Sequence, residues 1–389
     1  MSSVYIAVNG SGLGHASRMI AIANELQLQG KEVSFCSSSE AIMMIRKSGF
    51  KCYETPLIDV EWTSSGEVAP LRITILRLVK DIPIFFKQII LELRNLKNES
   101  PRIVISDSKL STLIASKILR IPTIIILNQL KIIIPTENKS RFEGFLERIG
   151  AEVLSLMWTI SEKVIIPDLP LPNTISINNV NGINWKRNKI KFVGFILKLK
   201  KEDQKQIREL KSELGLKDKK IIYFQISGPI KTRKSLIELS KKAAENLQNK
   251  YTTIISEGNP DGKNSPIKEK WGWRYEWCLE SDQIFRIADV VVIRGGHSSI
   301  CKSIISGKPM VVIPIIRHSE QYNNALKINE LEAGIYLNQN ELTEDSLSNS
   351  INRALTDGKF QSSSNNLKNI ANNMNSIETV LEEIDKYLE

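Results

Sequence analysis

The run Val290–Ala325 (VVVIRGGHSSICKSIISGKPMVVIPIIRHSEQYNNA) restricts the fold more than any other stretch of the chain. Val290–Ile293 is a continuous β-branched run, the pattern of a strand buried on both faces. Arg294-Gly295-Gly296-His297-Ser298-Ser299 then predicts a turn into a helix. Its glycines let backbone N–H groups approach a ligand, and its serines can cap the helix. A helix start of this kind presents unpaired N–H groups and a positive dipole end, which together seat an anion. Gly307 and Pro309 predict the end of the helix, and Met310–Ile313 the next buried strand. The loop beyond carries Arg317, His318, Glu320, Gln321 and Asn324. A diphosphate seat beside hydroxyl-binding side chains suits a nucleotide-linked sugar.

The amino-terminal segment has a related form. Val4–Asn9 reads as a short strand, Gly10-Ser11-Gly12-Leu13-Gly14-His15 as a loop, Ala16–Gln29 as a helix and Glu32–Cys36 as a second strand. A dinucleotide-binding fold would need a third glycine where His15 stands and an acid at the end of the second strand, which ends in Ser37-Ser38-Ser39. The nicotinamide-cofactor reading therefore fails. His15 suits proton transfer near neutral pH; the plainer alternative is a histidine at a helix start. All three histidines of the chain, His15, His297 and His318, fall in these two segments.

Both segments resemble GT-B glycosyltransferases of the MurG-like family. The donor-side likeness rests on the Gly-Gly turn with Ser299, Gly307-Lys308-Pro309, Pro314, Glu320-Gln321 and Asn324-Ala325. On the front side it rests on the glycine loop with His15 and Arg18. Ser227-Gly228-Pro229 with Arg233 resembles the first loop of the family's carboxy-terminal domain, and Trp277-Cys278 the place where relatives cap the base. The resemblance implies an α/β fold: two Rossmann-like domains with parallel sheets facing an interdomain cleft, and a last helix crossing back. It implies donor contacts from Gly14, Ser227, Gly228, Arg233, Trp277, Cys278, Arg294, Gly296, His297, Ser298, Ser299, Lys302, Glu320 and Gln321. Gly12, Arg18 and Asn128 are implied on the acceptor side. His15 would act on the acceptor hydroxyl as general base, or donate hydrogen bonds to the departing diphosphate. Lys302 departs from the pattern: many members carry there a Glu that accepts from the ribose, and an ammonium cannot accept.

Asp107 ends a predicted strand, Arg102–Ser106, at a carboxyl edge where such sheets bind ligands. It either orients His15 or caps the next helix. Residues 71–97 predict two helices broken near Asp81 and Pro83, with Arg72, Arg77, Lys80, Lys87, Arg94 and Lys97 interleaved among apolar residues. That surface either sits on anionic lipid or packs on the sheet.

At 389 residues the chain suits two domains, 1–190 with a returning helix at about 366–389, and 191–365. A net charge of +10 favours anionic partners, and with no RNA-binding aromatic signature nucleic acid is excluded. The four cysteines have no zinc spacing, and no DxD or HxxH cluster occurs, so neither a metal nor a cofactor is expected. No apolar run is long enough to span a bilayer. A peripheral enzyme on the cytoplasmic membrane face is the resulting expectation. The family resemblance implies inverting transfer of GlcNAc from UDP-GlcNAc to a polyprenyl- or dolichyl-diphosphate-linked sugar, as in an archaeal single-chain counterpart of the eukaryotic dolichol-linked GlcNAc transferase. A UDP-GlcNAc epimerase on the same fold and a non-catalytic membrane-bound subunit are the alternatives.

Overall fold

The computed structural model describes all residues except 1, 2, 11, 12, 59–70, 132–140, 181–186, 198–203, 217, 218 and 389, and omits the side chains of 71–79, 141–143, 146, 147, 187 and 204. The chain divides into two compact units. One holds the amino-terminal half together with Met374–Glu389, and the other holds the intervening residues.

The first unit opens β1 (Ser3–Val8), α1 (Leu13–Leu28), β2 (Glu32–Ser37), α2 (Glu40–Lys47) and β3 (Lys51–Glu54). It continues α3 (Leu71–Glu99), β4 (Ile103–Asp107), α4 (Leu110–Ile118), β5 (Thr123–Ile126), α5 (Arg141–Trp158), β6 (Lys163–Ile166), α6 (Ile177–Val180) and β7 (Ile190–Phe192). The strands form one sheet in the order β3-β2-β1-β4-β5-β6-β7, every pair parallel. Both faces are covered, so strands such as Ile103–Asp107 are buried at every residue.

The second unit runs α7 (Gln204–Glu213), β8 (Ile221–Gln225), α8 (Ile230–Leu247), β9 (Thr252–Ser256), β10 (Ile267–Glu269), β11 (Gly272–Tyr275), α9 (Ser281–Ile287) and β12 (Val290–Ile293). Then come α10 (His297–Ser306), β13 (Met310–Val312), α11 (Ser319–Glu330), β14 (Gly334–Tyr336), α12 (Glu344–Thr356) and α13 (Gly358–Asn372). Its sheet order is β10-β11-β9-β8-β12-β13-β14, parallel except for the β10–β11 edge.

Three boundaries differ from the sequence expectation. Residues 71–99 form one helix with Pro83 inside it. Pro83 is on the exposed side, where the carbonyl it leaves unpaired can take water. β7 belongs to the first sheet, so the first unit extends past 190. The return falls at Met374: α13 stays with the second unit and only α14 (Ser376–Asp385) joins the first. There Val380, Leu381, Ile384 and Leu388 complete the core beneath α1. Among the described residues, no helix is long and apolar enough to cross a membrane.

Candidate functional site

Each sheet reverses its winding once. In the first, β1 is flanked by β2 on one side and β4 on the other; in the second, β8 is flanked by β9 and β12. Ligands of open α/β sheets bind at the carboxyl ends of strands at such switch points. Both segments singled out in the sequence lie there, one in each unit.

In the first unit, β1 leads into α1, which begins at Leu13, so Gly14 and His15 stand in its first turn. Gly10 is required by close approach: a Cβ there would lie 2.2 Å from the Ser38 carbonyl oxygen. The register of β1 against β4 pairs Val8 with Asp107, which brings that carboxylate beside the α1 start. His15 Nδ1 lies 2.8 Å from Asp107 Oδ1. Arg18, one turn along α1, donates through Nε to Asp107 Oδ2 and through Nη2 to Oδ1, each at 2.5 Å. Asp107 is fully buried. Burial by itself would raise its carboxyl, but the Arg18 guanidinium and the His15 imidazole outweigh that and hold it well below the usual carboxylate range.

Arg18 Nη2 also lies 3.0 Å from His15 Nδ1. Two donors cannot share that contact with a proton on Nδ1, and the anionic acceptor is the stronger partner. We therefore assign Nδ1–H to the Asp107 bond, which leaves the lone pair on Nε2. The His15 side chain keeps 25% of its exposure, against none for Asp107. This is a proton acceptor with a fixed tautomer and access to solvent. Asp107 is not a helix cap, because Lys109 occupies that position at α4. Arg18, assigned to the acceptor by resemblance, is buried and clamps Asp107 instead. Asn128 is buried just past β5, and Gly12 lies outside the described residues.

In the second unit, β12 ends at Ile293 and α10 begins at His297 with Gly296 as its cap; no side chain caps it. Ser298 and Ser299 are therefore inside the first turn. Ser299 donates to Gln225 Oε1 at 2.7 Å, tying the helix start to the end of β8. His297 is buried against Cys301, with Nδ1 and Sγ 3.4 Å apart. Gly295 has φ +84°, and a Cβ on it would lie 2.9 Å from the Gln321 carbonyl oxygen. Asn324 Nδ2 donates to the Gly295 carbonyl at 3.1 Å. The turn is thus fastened to α11.

Several expected donor contacts are engaged within the unit. Arg294 is completely buried; Nη1 donates to Gln339 Oε1 at 2.8 Å and Nη2 to the Thr232 carbonyl at 3.5 Å, so it braces the turn. Arg233 is buried and donates to the carbonyls of Glu257 and Gly258, fixing the loop after β9. Gln321 is 8% exposed, and its Oε1 accepts from the Ile315 N–H at 2.9 Å. These bonds hold the groups inside the unit, as the cost of leaving a buried donor or acceptor unpaired requires, although the Arg294 Nε is buried without a hydrogen-bond partner among the described residues.

Glu320 is half-buried in the first turn of α11. Ser227 is half-buried and Gly228 exposed with φ +107°, in the turn between β8 and α8. Trp277 is half-buried, its backbone N–H donating to the Lys263 carbonyl at 3.2 Å, and Cys278 beside it is buried. Burial pushes the Cys278 thiol up to about 12. His318 caps α11, accepting from the Gln321 N–H at 3.5 Å. Burial holds His318 below its ordinary value; Glu320 pulls it up and Arg294 pushes it down. A neutral imidazole is what that acceptor role requires. Lys302 pairs with Asp282 at 2.6 Å. Neither the Arg18 clamp nor Asp282 carries a local sequence signal, since each is defined by a partner on another element.

Residues 206–380 match the glycosyltransferase family 28 C-terminal domain. An uncharacterized glycosyltransferase of Methanosarcina mazei is 28% identical over 98% of both chains. A UDP-N-acetylglucosamine–N-acetylmuramyl-(pentapeptide) pyrophosphoryl-undecaprenol N-acetylglucosamine transferase of Clostridium botulinum is 22% identical, covering 89% of each chain. Among solved structures, the glycotransferase of kitacinnamycin superposes with a TM-score of 0.70 at 15% identity, over 100% of this chain and 99% of that one. A spinosyn rhamnosyltransferase complexed with thymidine diphosphate also gives 0.70, at 14% identity over 99% and 100%. The chain has the two-sheet GT-B fold of these structures, and its residues 206–380 match the glycosyltransferase family 28 C-terminal domain.

Proposed function

We propose that the chain is an inverting glycosyltransferase that moves GlcNAc from UDP-GlcNAc to a sugar carried on a polyprenyl or dolichyl diphosphate. The observation that carries this reading is the His15 imidazole, bonded through Nδ1 to buried Asp107 while the side chain stays a quarter exposed. In the reaction the acceptor hydroxyl oxygen bonds to the anomeric carbon while the bond from that carbon to the diphosphate breaks. His15 Nε2 takes the hydroxyl proton, and Asp107 stabilises the imidazolium that forms. UDP leaves with the bonding electrons. Its charge is met by the start of α10, which no side chain caps, and by the dipole of that helix. The identity of the sugar and of the lipid carrier draws support from the name of the Clostridium botulinum relative.

The lipid part of the reading draws support from two helices of the first unit. On α3, Ile82, Phe86 and Ile90 are exposed at four-residue spacing beside exposed Lys80, Lys87, Arg94 and Lys97. On α5, Phe145, Ile149, Val153 and Leu156 are exposed. An apolar stripe rimmed by cations suits a peripheral site on an anionic membrane face.

The test is incubation with UDP-GlcNAc and a synthetic polyprenyl-diphosphate-GlcNAc. A disaccharide lipid and free UDP are expected, and both should be lost in His15→Ala. Full turnover by His15→Ala, or no transfer by the wild type, overturns the proposal. Conversion of the donor without any acceptor would mark an epimerase instead.

A further inference from the structure

A nucleoside diphosphate places its ribose between its base and its phosphates. On the proposed reading the uncapped start of α10 takes the phosphates, and the Trp277-Cys278 segment that precedes α9, by its family likeness, takes the base. Asp282 is in the first turn of α9, just after that segment in the chain. Its carboxylate reaches Lys302 Nζ at 2.6 Å, on α10 one turn beyond Ser298 and Ser299. It is also near enough to Cys278 to disfavour that thiolate. Lys302 is held on its other side by the Phe285 ring, 5.9 Å from the ring centroid. The pair remains reachable: Lys302 keeps 28% of its side-chain exposure and Asp282 37%.

A ribose presents two hydroxyls that seek acceptors. Lys302 carries only donors, whereas the Asp282 carboxylate has lone pairs beyond the one facing the ammonium. We infer that Asp282, held in place by Lys302, accepts from the ribose hydroxyls of the donor nucleotide and makes the site selective for a ribonucleotide over a 2′-deoxyribonucleotide. The inference rests on the proposal that this unit binds a nucleotide-sugar. The acid that reads the sugar then comes from α9, and the lysine on α10 fixes its rotamer. The bland alternative is a surface ion pair of little consequence, which would not discriminate between nucleotides.

Isothermal titration calorimetry with UDP and 2′-deoxy-UDP separates these readings without any acceptor or turnover. The wild type should bind UDP about tenfold more tightly, as expected for one lost hydrogen bond to a charged acceptor. Asp282→Ala should bind both nucleotides alike. Lys302→Met, which keeps the carboxylate but frees its rotamer, should reduce the preference without abolishing it. Equal binding of the two nucleotides by the wild type overturns the inference, and so does an unchanged preference in Asp282→Ala. The wild-type comparison can overturn the inference on its own, so the test holds even where a variant folds poorly. Absence of UDP binding altogether has a different signature, and removes the nucleotide-sugar reading itself.

Discussion

At the scale of single residues, the His15–Asp107–Arg18 cluster sets one cation, one imidazole and one carboxylate against each other at the end of a buried strand. Asp107→Asn keeps the shape but removes the charge that fixes the His15 tautomer. We expect turnover to fall by at least about 10²-fold, with the donor KM little changed, in steady-state assays of both substrates. The same carboxylate makes stability depend on acid. Its folded value is depressed, so its contribution is complete above the ordinary carboxylate value of about 3.9 and is lost as pH falls below it, where the unfolded chain binds the extra proton. Urea titrations between neutral pH and pH 3 should show the wild type losing stability more steeply than Asp107→Asn. The variant should be less stable at pH 7, because buried Arg18 then lacks its counter-charge.

At the scale of elements, α3 combines two environments along one helix. Toward the sheet it buries Gln88, Glu92, Asn95 and Leu96. Glu92 is tied to Lys109 at 2.5 Å, to Thr112 and to the Tyr5 hydroxyl, which anchors α3 to β1 and to the start of α4. Burial opposes the Glu92 charge, but Lys109 and these hydroxyls outweigh it and keep its carboxyl low. The outward stripe has no such partners among the described residues; it is apolar and basic. Phe86→Glu, at a residue 60% exposed, should leave the melting temperature nearly unchanged. In vesicle sedimentation it should abolish binding to anionic phospholipid, and equal sedimentation of variant and wild type would remove α3 from the lipid contact. The one-helix form of this segment explains why a break at Pro83 was the natural reading of the sequence. The proline rule is local, whereas the anchoring of the following turns on the sheet is not.

At the scale of the whole molecule, the chain repeats one topology twice and then sends its last helix back to the first unit. Val380, Leu381, Ile384 and Leu388 are at most 7% exposed in that first core. Burial of such side chains contributes about 1.5–3 kcal/mol each, which is comparable with the whole stability of an ordinary domain. Truncation after Asn373 should therefore unfold the first unit. Differential scanning calorimetry should show its transition lost or moved far down, while the transition of the second unit stays near its original temperature. Survival of both transitions would mean that α14 is dispensable to the core.

The sequence by itself determined the alternation of strands and helices, the two glycine turns and the histidine in each. Those features depend on residues close together in the chain: a β-branched run, a backbone that must turn tightly, a helix that must start. It could not assign Arg18 to Asp107, Arg294 to Gln339, Gln321 to the Ile315 N–H or Asp282 to Lys302. Which polar groups are taken up inside the fold and which stay open to a ligand depends on where segments 6 to 89 residues apart come to lie. Only the tertiary structure decided that, because a buried charge takes the nearest partner in space, whatever its place in the chain.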